Sequence, residues 1–298
     1  RAAGGRRRVG RPGGGVSAAR ATLVVILARG LGSRLRTDDG AALSAEQQAA
    51  AASGTKGLMP IAGRPFLDHI LDALADGGVT DAVFVVAPGA SPVRAYFDAH
   101  AHSRVRVQYA VQDEPRGTAD ALRSARAAVT GAGGAPRDTD GARHFLMCNA
   151  DNLYPAPAVR ALVEADGPAV IAFDADALVA DGLIEPGRVA RFALMDITPD
   201  GALREIVEKP SADHPLMLAP GKSVSMNIWR FTDAIFDDCD AVQPSPRGEL
   251  ELQDAVRRAI ARGTRIAAIP QRLAVLDLTH RRDVAALEAR LAHRPASA

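Results

Sequence analysis

Chemistry is concentrated in a few short runs of this sequence. The run Leu27-Ala28-Arg29-Gly30-Leu31-Gly32-Ser33-Arg34 follows an unbroken apolar stretch at 22–27, TLVVIL. Gly30 and Gly32 let backbone N–H groups come close to a polyphosphate, and Arg34 adds a guanidinium fork that neutralises phosphate charge. A tight structural turn explains the two glycines nearly as well. The dinucleotide fingerprint is not met, because Leu35 stands where a third glycine belongs and no acid follows Val86. No Gly-Lys-Ser/Thr follows, so this is not the P-loop either. Asp151 comes directly after the apolar run HFLMC at 144–148, where a carboxylate is costly unless a metal or hydrogen bonds compensate it. Gln112 carries both a donor and an acceptor, which suits the edge of a pyrimidine. Lys56, Asp254 and Glu208-Lys209-Pro210, each taken alone, read as surface or turn residues. The seven histidines have no ligand spacing.

These residues need a frame, and the sequence supplies one. Apolar runs at 22–27, 82–86 and 144–148 predict strands buried on both faces, and 105–111 alternates like a further strand. Between them, 66–76, 118–129 and 157–164 have helical periodicity. Strands are expected at 169–173 and 265–269, with another at 272–277 and a hairpin from 189–196 and 201–207. Helices at 250–261 and 280–291 follow. In 38–54, the capping-box spacing from Ser44 to Gln47 and the terminal Gly54 predict a short helix. Strand–helix alternation of this kind predicts an α/β fold, a mostly parallel mixed sheet covered on both faces. Ligands of such sheets lie beyond the carboxyl ends of strands, so the loops after Leu27, Val111 and Cys148 are where a site is sought.

Taken in order, the runs resemble the nucleotide-sugar pyrophosphorylase (sugar-1-phosphate nucleotidyltransferase) family. The opening is the strand with G-L-G-S-R-L, then Lys56-Gly57-Leu58-Met59-Pro60-Ile61, a helix and VFVV. Next come Gln112-Asp113-Glu114-Pro115-Arg116-Gly117-Thr118-Ala119-Asp120 and Phe145-Leu146-Met147-Cys148-Asn149-Ala150-Asp151-Asn152. Val207-Glu208-Lys209-Pro210, Met226-Asn227-Ile228-Trp229 and Pro246-Arg247-Gly248-Glu249-Leu250-Glu251-Leu252-Gln253-Asp254 complete the set. The pattern lies nearest to the glucose-1-phosphate thymidylyltransferases. The resemblance implies a Rossmann-like three-layer, glycosyltransferase-A-like fold. It also implies transfer of a nucleotidyl group from an NTP, dTTP or UTP foremost, to a sugar 1-phosphate.

The implied site is catalytic Arg34, Lys56, Asp151, Lys209 and Asp254, with Mg²⁺ on Asp151 and Asp254. Nucleotide contacts are implied at Leu27, Ala28, Gly30, Gly32, Gln112, Gly117 and Thr118, and sugar contacts at Glu208, Lys209 and Asn227. Departures from the family are Arg29 in place of a small residue, Thr55 in place of proline before Lys56, Ala150 in place of glycine, and 21 residues between Arg34 and Lys56. Arg29 either points outward or adds a phosphate contact, and the insertion serves as lid, dimer contact or allosteric element. Rival readings are a catalytically silent nucleotide-sugar-binding paralogue and a cytidylyltransferase acting on a non-sugar phosphate.

Bulk properties set the remaining expectations. With 36 basic and 35 acidic residues the net charge is +1, which points to neither a nucleic-acid nor a membrane-surface partner. Two cysteines without CxxC spacing suit a reducing, cytoplasmic setting. The Arg/Gly-rich residues 1–20 read as a disordered leader, 21–292 as a single domain and 293–298 as a tail. The C-terminal helix from His280 is a candidate homo-oligomer contact.

Overall fold

The computed structural model describes residues 22–30, 32–138 and 141–292. The expectations for 1–20 and 293–298 therefore lie outside the described residues.

Ten strands form one mixed sheet. They are β1 (Leu23–Leu27), β2 (Asp81–Val86), β3 (Arg106–Val111), β4 (His144–Asn149), β5 (Ala169–Asp174), β6 (Ala193–Ile197), β7 (Leu203–Glu208), β8 (Ser223–Ser225), β9 (Trp229–Thr232) and β10 (Ala267–Gln271). Their order is β7-β6-β8-β5-β9-β4-β1-β2-β3, with β10 added to β5. β1 lies parallel to both β2 and β4, β2 to β3, and β5 to β10. β7, β8 and β9 run against the other seven, so the sheet is mixed but mostly of one direction.

The period of two along each strand divides the core into two layers. Val24 and Ile26 face one layer with Phe66, Leu67, Ile70, Leu71 and Leu74 of the helix Phe66–Asp76. Leu23 and Val25 face the other, with Leu122, Phe236, Leu252 and Val256 from the helices Thr118–Ser124, Ile235–Asp240 and Leu252–Ala261. Helices thus cover both faces, giving three layers. None of the described helices is long and apolar enough to cross a membrane.

The helix in 38–54 forms as Ala45–Ser53, with both capping-box bonds from Ser44 and Gln47 and a left-handed Gly54 at its end. Elsewhere tertiary contacts move the boundaries. Residues 118–129 divide at Ala125, whose amide returns to Leu122 O at 3.0 Å, tightening the helix by an i→i−3 bond. Pro186 starts a 3₁₀ turn, Pro186–Arg191, so the first hairpin strand begins only at Ala193. The expected strand at 272–277 shrinks to Leu276–Asp277, which leaves the main sheet and pairs antiparallel with Asn152–Leu153. The last helix starts at Asp283, whose carboxylate takes the backbone N–H groups of Thr279 and His280 at 2.8 and 2.7 Å. Helices Pro92–Ala99 and Ala175–Asp181, and the short strands β8 and β9, were not among the elements expected from the sequence.

Gly32 shows what the insertion demands of the loop after β1. It has φ 58°, and a Cβ there would lie 2.1 Å from the Gly54 carbonyl oxygen. At Gly30 a Cβ meets nothing within 4 Å and φ is not positive. Gly32→Ala is expected to destabilise the fold by about 2–4 kcal/mol, combining a left-handed alanine with a backbone clash. Gly30→Ala should stay within about 0.5 kcal/mol. Urea melts of the two variants check this, and equal midpoints would contradict it.

Candidate active site

β1, β2, β3 and β4 end on the same side of the sheet. The chain leaves β1 for β2 on one side and returns as β4 on the other, so the crevice of an open α/β sheet lies there. A cavity of about 480 Å³ opens at these ends, lined among others by Ala28, Gly30, Lys56, Gln112, Thr118 and Asp151. Leu27 and Gly117 also line it. The Ala28 amide donates to Val85 O at 3.0 Å and the Ala150 amide to Leu27 O at 3.3 Å. Both bonds continue the sheet ladder into the loops and fix where the loops start.

At the cavity floor, Lys56 Nζ lies 3.0 Å from Asp151 Oδ2. The lysine arrives on the 3₁₀ turn Lys56–Leu58, and the aspartate stands just beyond β4. Asp277 is the carboxylate brought beside them. The ribbon Asn152–Leu153 with Leu276–Asp277 sets it opposite Asn152, and the Leu278 amide donates to Asp151 O at 2.9 Å. Asn152 Nδ2 donates to Asp277 Oδ1 at 2.9 Å, and the buried guanidinium of Arg188 pairs with Oδ2. Burial, reinforced by the negative charge of Asp151, pushes the Asp277 carboxyl above the ordinary range, against the pull of Arg188. Sequence reasoning passed over Asp277. Its signal was the one that picked out Asp151, an acid within an apolar run, here Val275-Leu276-Asp277-Leu278.

Three cations border the cavity: Lys56, Arg29 and Arg36. Arg29 does not point outward. Its Nη2 donates to Asp113 O at 2.9 Å, while Nε and Nη1 are buried and have no partner among the described residues. Arg36 Nη2 donates to Ser53 O at 3.0 Å. Arg34 lies on the exposed side of the turn Ser33–Arg36, off the cavity lining, near enough for its charge to act on His280.

The segment from Gln112 to Thr118 is fixed by a distant stretch of the same chain, residues 250–252. Thr118 Oγ1 accepts from the Leu252 amide at 2.9 Å, and the Leu250 amide donates to Arg116 O at 2.7 Å. Gly117 has φ 126°, and a Cβ on it would reach within 2.4 Å of Leu250 O. Backbone packing against residue 250 therefore already requires this glycine. The amide of Gln112 uses both its hydrogens internally, on Gly117 O at 3.2 Å and Asp120 Oδ2 at 2.8 Å. Only Oε1 remains for a ligand, so the side chain is an acceptor rather than the donor-and-acceptor pair expected.

Glu208, Lys209, Asn227 and Asp254 lie off the cavity lining. Asp254, in the first turn of the helix Leu252–Ala261, is paired with Arg257 on the same helix. Neighbouring Gln253 donates from Nε2 to Glu208 Oε2 at 3.1 Å, and Lys209 Nζ stands 3.5 Å from Glu208 Oε1. Lys209 and Asn227 have φ 47° and 58°, left-handed conformations that are uncommon without glycine. Asn227 Oδ1 accepts from the Trp229 indole at 3.2 Å, and Trp229 is fully buried core. No group of three or more His, Cys, Asp or Glu side chains that could hold a metal ion occurs among the described residues. Asp151 on the cavity lining and the buried Asp277 beside it are a smaller donor set, one that substrate oxygens and water would have to complete.

A mixed, mostly parallel α/β sheet with a cavity at the carboxyl ends of its strands places the chain in the class of open-sheet α/β proteins. Comparison with known proteins narrows it. Residues 23–278 match the family described as "Nucleotidyl transferase". UTP–glucose-1-phosphate uridylyltransferase AglF of Haloferax volcanii is 30% identical over 250 residues, covering 82% of this chain and 86% of that protein. Glucose-1-phosphate thymidylyltransferase of Streptomyces griseus is 28% identical over 240 residues, covering 80% of this chain and 57% of that protein. The chain spans about half the length of several other curated relatives it matches, 57% of one and 43% of another. The UTP-bound UGPase from Acinetobacter baumannii superposes with a TM-score of 0.67 at 16% identity, over 92% of this chain and 95% of that one. The chain belongs to the nucleotidyl transferase family.

Glu208 gives a pH test of this geometry. Burial pushes its carboxyl above the ordinary range, and Lys209 offsets that only in part. A raised folded-state pKa favours the protonated form, so the ionised carboxylate is a stability penalty above that pKa. The penalty vanishes below the unfolded value of about 4.3. Glu208→Gln is therefore expected to melt higher than wild type at pH 7, with the gap closing as pH falls toward about 4. A gap that widens on acidification would contradict this.

Proposed function

We propose that the chain transfers a nucleotidyl group from UTP or dTTP to a sugar 1-phosphate, giving a nucleotide sugar and pyrophosphate. The observation that carries this reading is the convergence of Lys56, Asp151 and Gln112 on one cavity, with the buried carboxyl of Asp277 beside Asp151. The printed activities of the two named relatives agree with it.

In this reading the triphosphate lies along the loop after β1, where Arg29, Arg36 and Lys56 border the cavity. Nε and Nη1, buried and without a partner among the described residues, suit Arg29 to donate to a phosphate oxygen that reaches them. An oxygen of the sugar phosphate attacks the α-phosphorus, the bond to the bridging oxygen of the β-phosphate breaks, and pyrophosphate leaves in line. Both reactants are anions, so the residues act by alignment and charge neutralisation, with no covalent enzyme intermediate. Glu208 and Lys209, at the end of β7, take the sugar side, Glu208 for hydroxyls and Lys209 for the nucleophilic phosphate.

For Asp151 and Asp277 to share a divalent cation, Asp277 has to release Asn152 or Arg188. The two acids are neighbouring carboxylates whose like charges raise the cost of both being ionised, and Lys56 already partners one of them. Oxygen donors of this kind suit Mg²⁺, which when bound withdraws charge from the α-phosphate. Asp254, the second metal aspartate that the family resemblance implies, is paired with Arg257 off the cavity and would have to leave that pair to reach an ion beside Asp151. The acceptor-only Gln112 argues against a cytidylyltransferase, because cytosine presents a lone pair at N3. The two buried, free cysteines suit a reducing, cytoplasmic setting.

Pyrophosphate release in Mg²⁺ tests the reading, with UTP or dTTP offered together with glucose 1-phosphate and each also offered alone. Release is expected only when both substrates are present. Arg29→Ala and Lys56→Ala should each lower kcat/KM by roughly a hundredfold, the usual effect of losing one charge-stabilising group. Release from triphosphate alone, or no release with either nucleotide and any hexose 1-phosphate, would contradict the proposal.

A further inference from the structure

Asp120 and Gln112 are each only 3% exposed, and neither is explained by packing alone. Asp120 lies in the first turn of the helix Thr118–Ser124. One of its oxygens, Oδ1, accepts from Arg116 Nη2 at 2.8 Å and Arg123 Nη2 at 2.5 Å. The other, Oδ2, is left for the amide nitrogen of Gln112 at 2.8 Å, and the second amide hydrogen goes to Gly117 O at 3.2 Å. A carbonyl and a carboxylate can only accept. The side-chain amide of glutamine is nearly symmetric in shape, and its orientation is decided by its partners. Reversing it here would set Oε1 against two oxygens and leave two buried acceptors without a donor, so one orientation prevails.

We infer that Asp120 sets base selectivity by fixing the Gln112 amide, so that the cavity offers the base an acceptor and no donor from this side chain. This rests on the reading above, in which Gln112 contacts the base. Uracil and thymine carry hydrogen on N3 and can donate to Oε1. Cytosine is the same size but carries a lone pair on N3, which would face the lone pairs of Oε1. Asp120 is a positioning residue, acting through Gln112 and not on the substrate. Arg116 and Arg123 engage the opposite carboxylate oxygen and are not needed for the lock itself.

The test is calorimetric binding of UTP and of CTP to the full chain, which does not depend on turnover. Wild type is expected to prefer UTP by at least roughly a hundredfold, as sites built around one hydrogen-bond polarity do. Asp120→Asn gives Gln112 a partner that can turn either its oxygen or its NH₂ inward, so the reversed glutamine leaves one acceptor, Gly117 O, without a donor in place of two. The UTP:CTP ratio should then fall by about tenfold or more. Arg116→Ala should keep the wild-type ratio. An unchanged ratio in a folded Asp120→Asn protein that still binds UTP would overturn the inference alone. Binding of neither nucleotide by wild type would overturn it together with the reading it rests on. A measurement on wild type guards against misfolding of the variant, using the triphosphate of pyrimidin-2-one riboside. This analogue keeps the N3 lone pair and lacks the 4-amino group. It should bind as poorly as CTP, and binding equal to UTP would overturn the lock.

Discussion

A carboxylate placed at the end of a strand buried on both faces is the constraint on which this structure turns. β4 delivers Asp151 to the cavity floor, where an isolated charge would be costly to hold. Lys56 meets it at 3.0 Å, and the ribbon of Asn152–Leu153 with Leu276–Asp277 adds a second carboxylate that burial and Asp151 make reluctant to ionise. One ammonium and one guanidinium, Lys56 and Arg188, are set against two acids. Each acid is thereby held against its own cation.

Much of the surrounding chain serves to hold these groups in register. The insertion is not a free flap on the surface. Its Gly54 end packs on Gly32, Gln47 Nε2 donates to Pro60 O and to Glu288 Oε1, and the Arg282 amide donates to Asp39 Oδ2. Arg281 donates to Leu35 O and Arg36 O, so the segment that follows Asp277 also grips the end of the loop after β1. Loop, insertion and C-terminal helix are thereby tied to one another. Any movement of the loop after β1 has to break bonds to Arg281, just ahead of the last helix, and that mechanical link joins the departure between Arg34 and Lys56 to the chain's far end.

Local pattern made most of the frame legible. Runs such as TLVVIL and HFLMC could only be buried strands, and Ser44, Gln47 and Gly54 together wrote the limits of a helix in residue types alone. Motif order added Lys56, Asp151, Gln112 and Thr118, all of which line one cavity. Features set by distant partners were not legible. Asp277 is brought to Asp151 by two-residue strands, too short for any periodicity, whereas Asp254 sits in a conspicuous segment yet pairs with Arg257. Arg34 occupies the motif position, but the turn Ser33–Arg36 directs Arg36 and not Arg34 to the cavity. The polarity that Gln112 shows to a ligand depends on Asp120, eight positions along, and no composition or spacing rule reports which way an amide faces.

Manganese binding addresses the cluster most directly, because Mn²⁺ can replace Mg²⁺ on oxygen ligands and its electron spin resonance signal falls on binding. In the presence of UTP, the full chain is expected to bind Mn²⁺, Asp277→Asn to bind it about ten- to a hundredfold more weakly, and Asp254→Asn to match wild type. Weakening by Asp254→Asn with Asp277→Asn unaffected would contradict the account and move the cation away from the cavity floor.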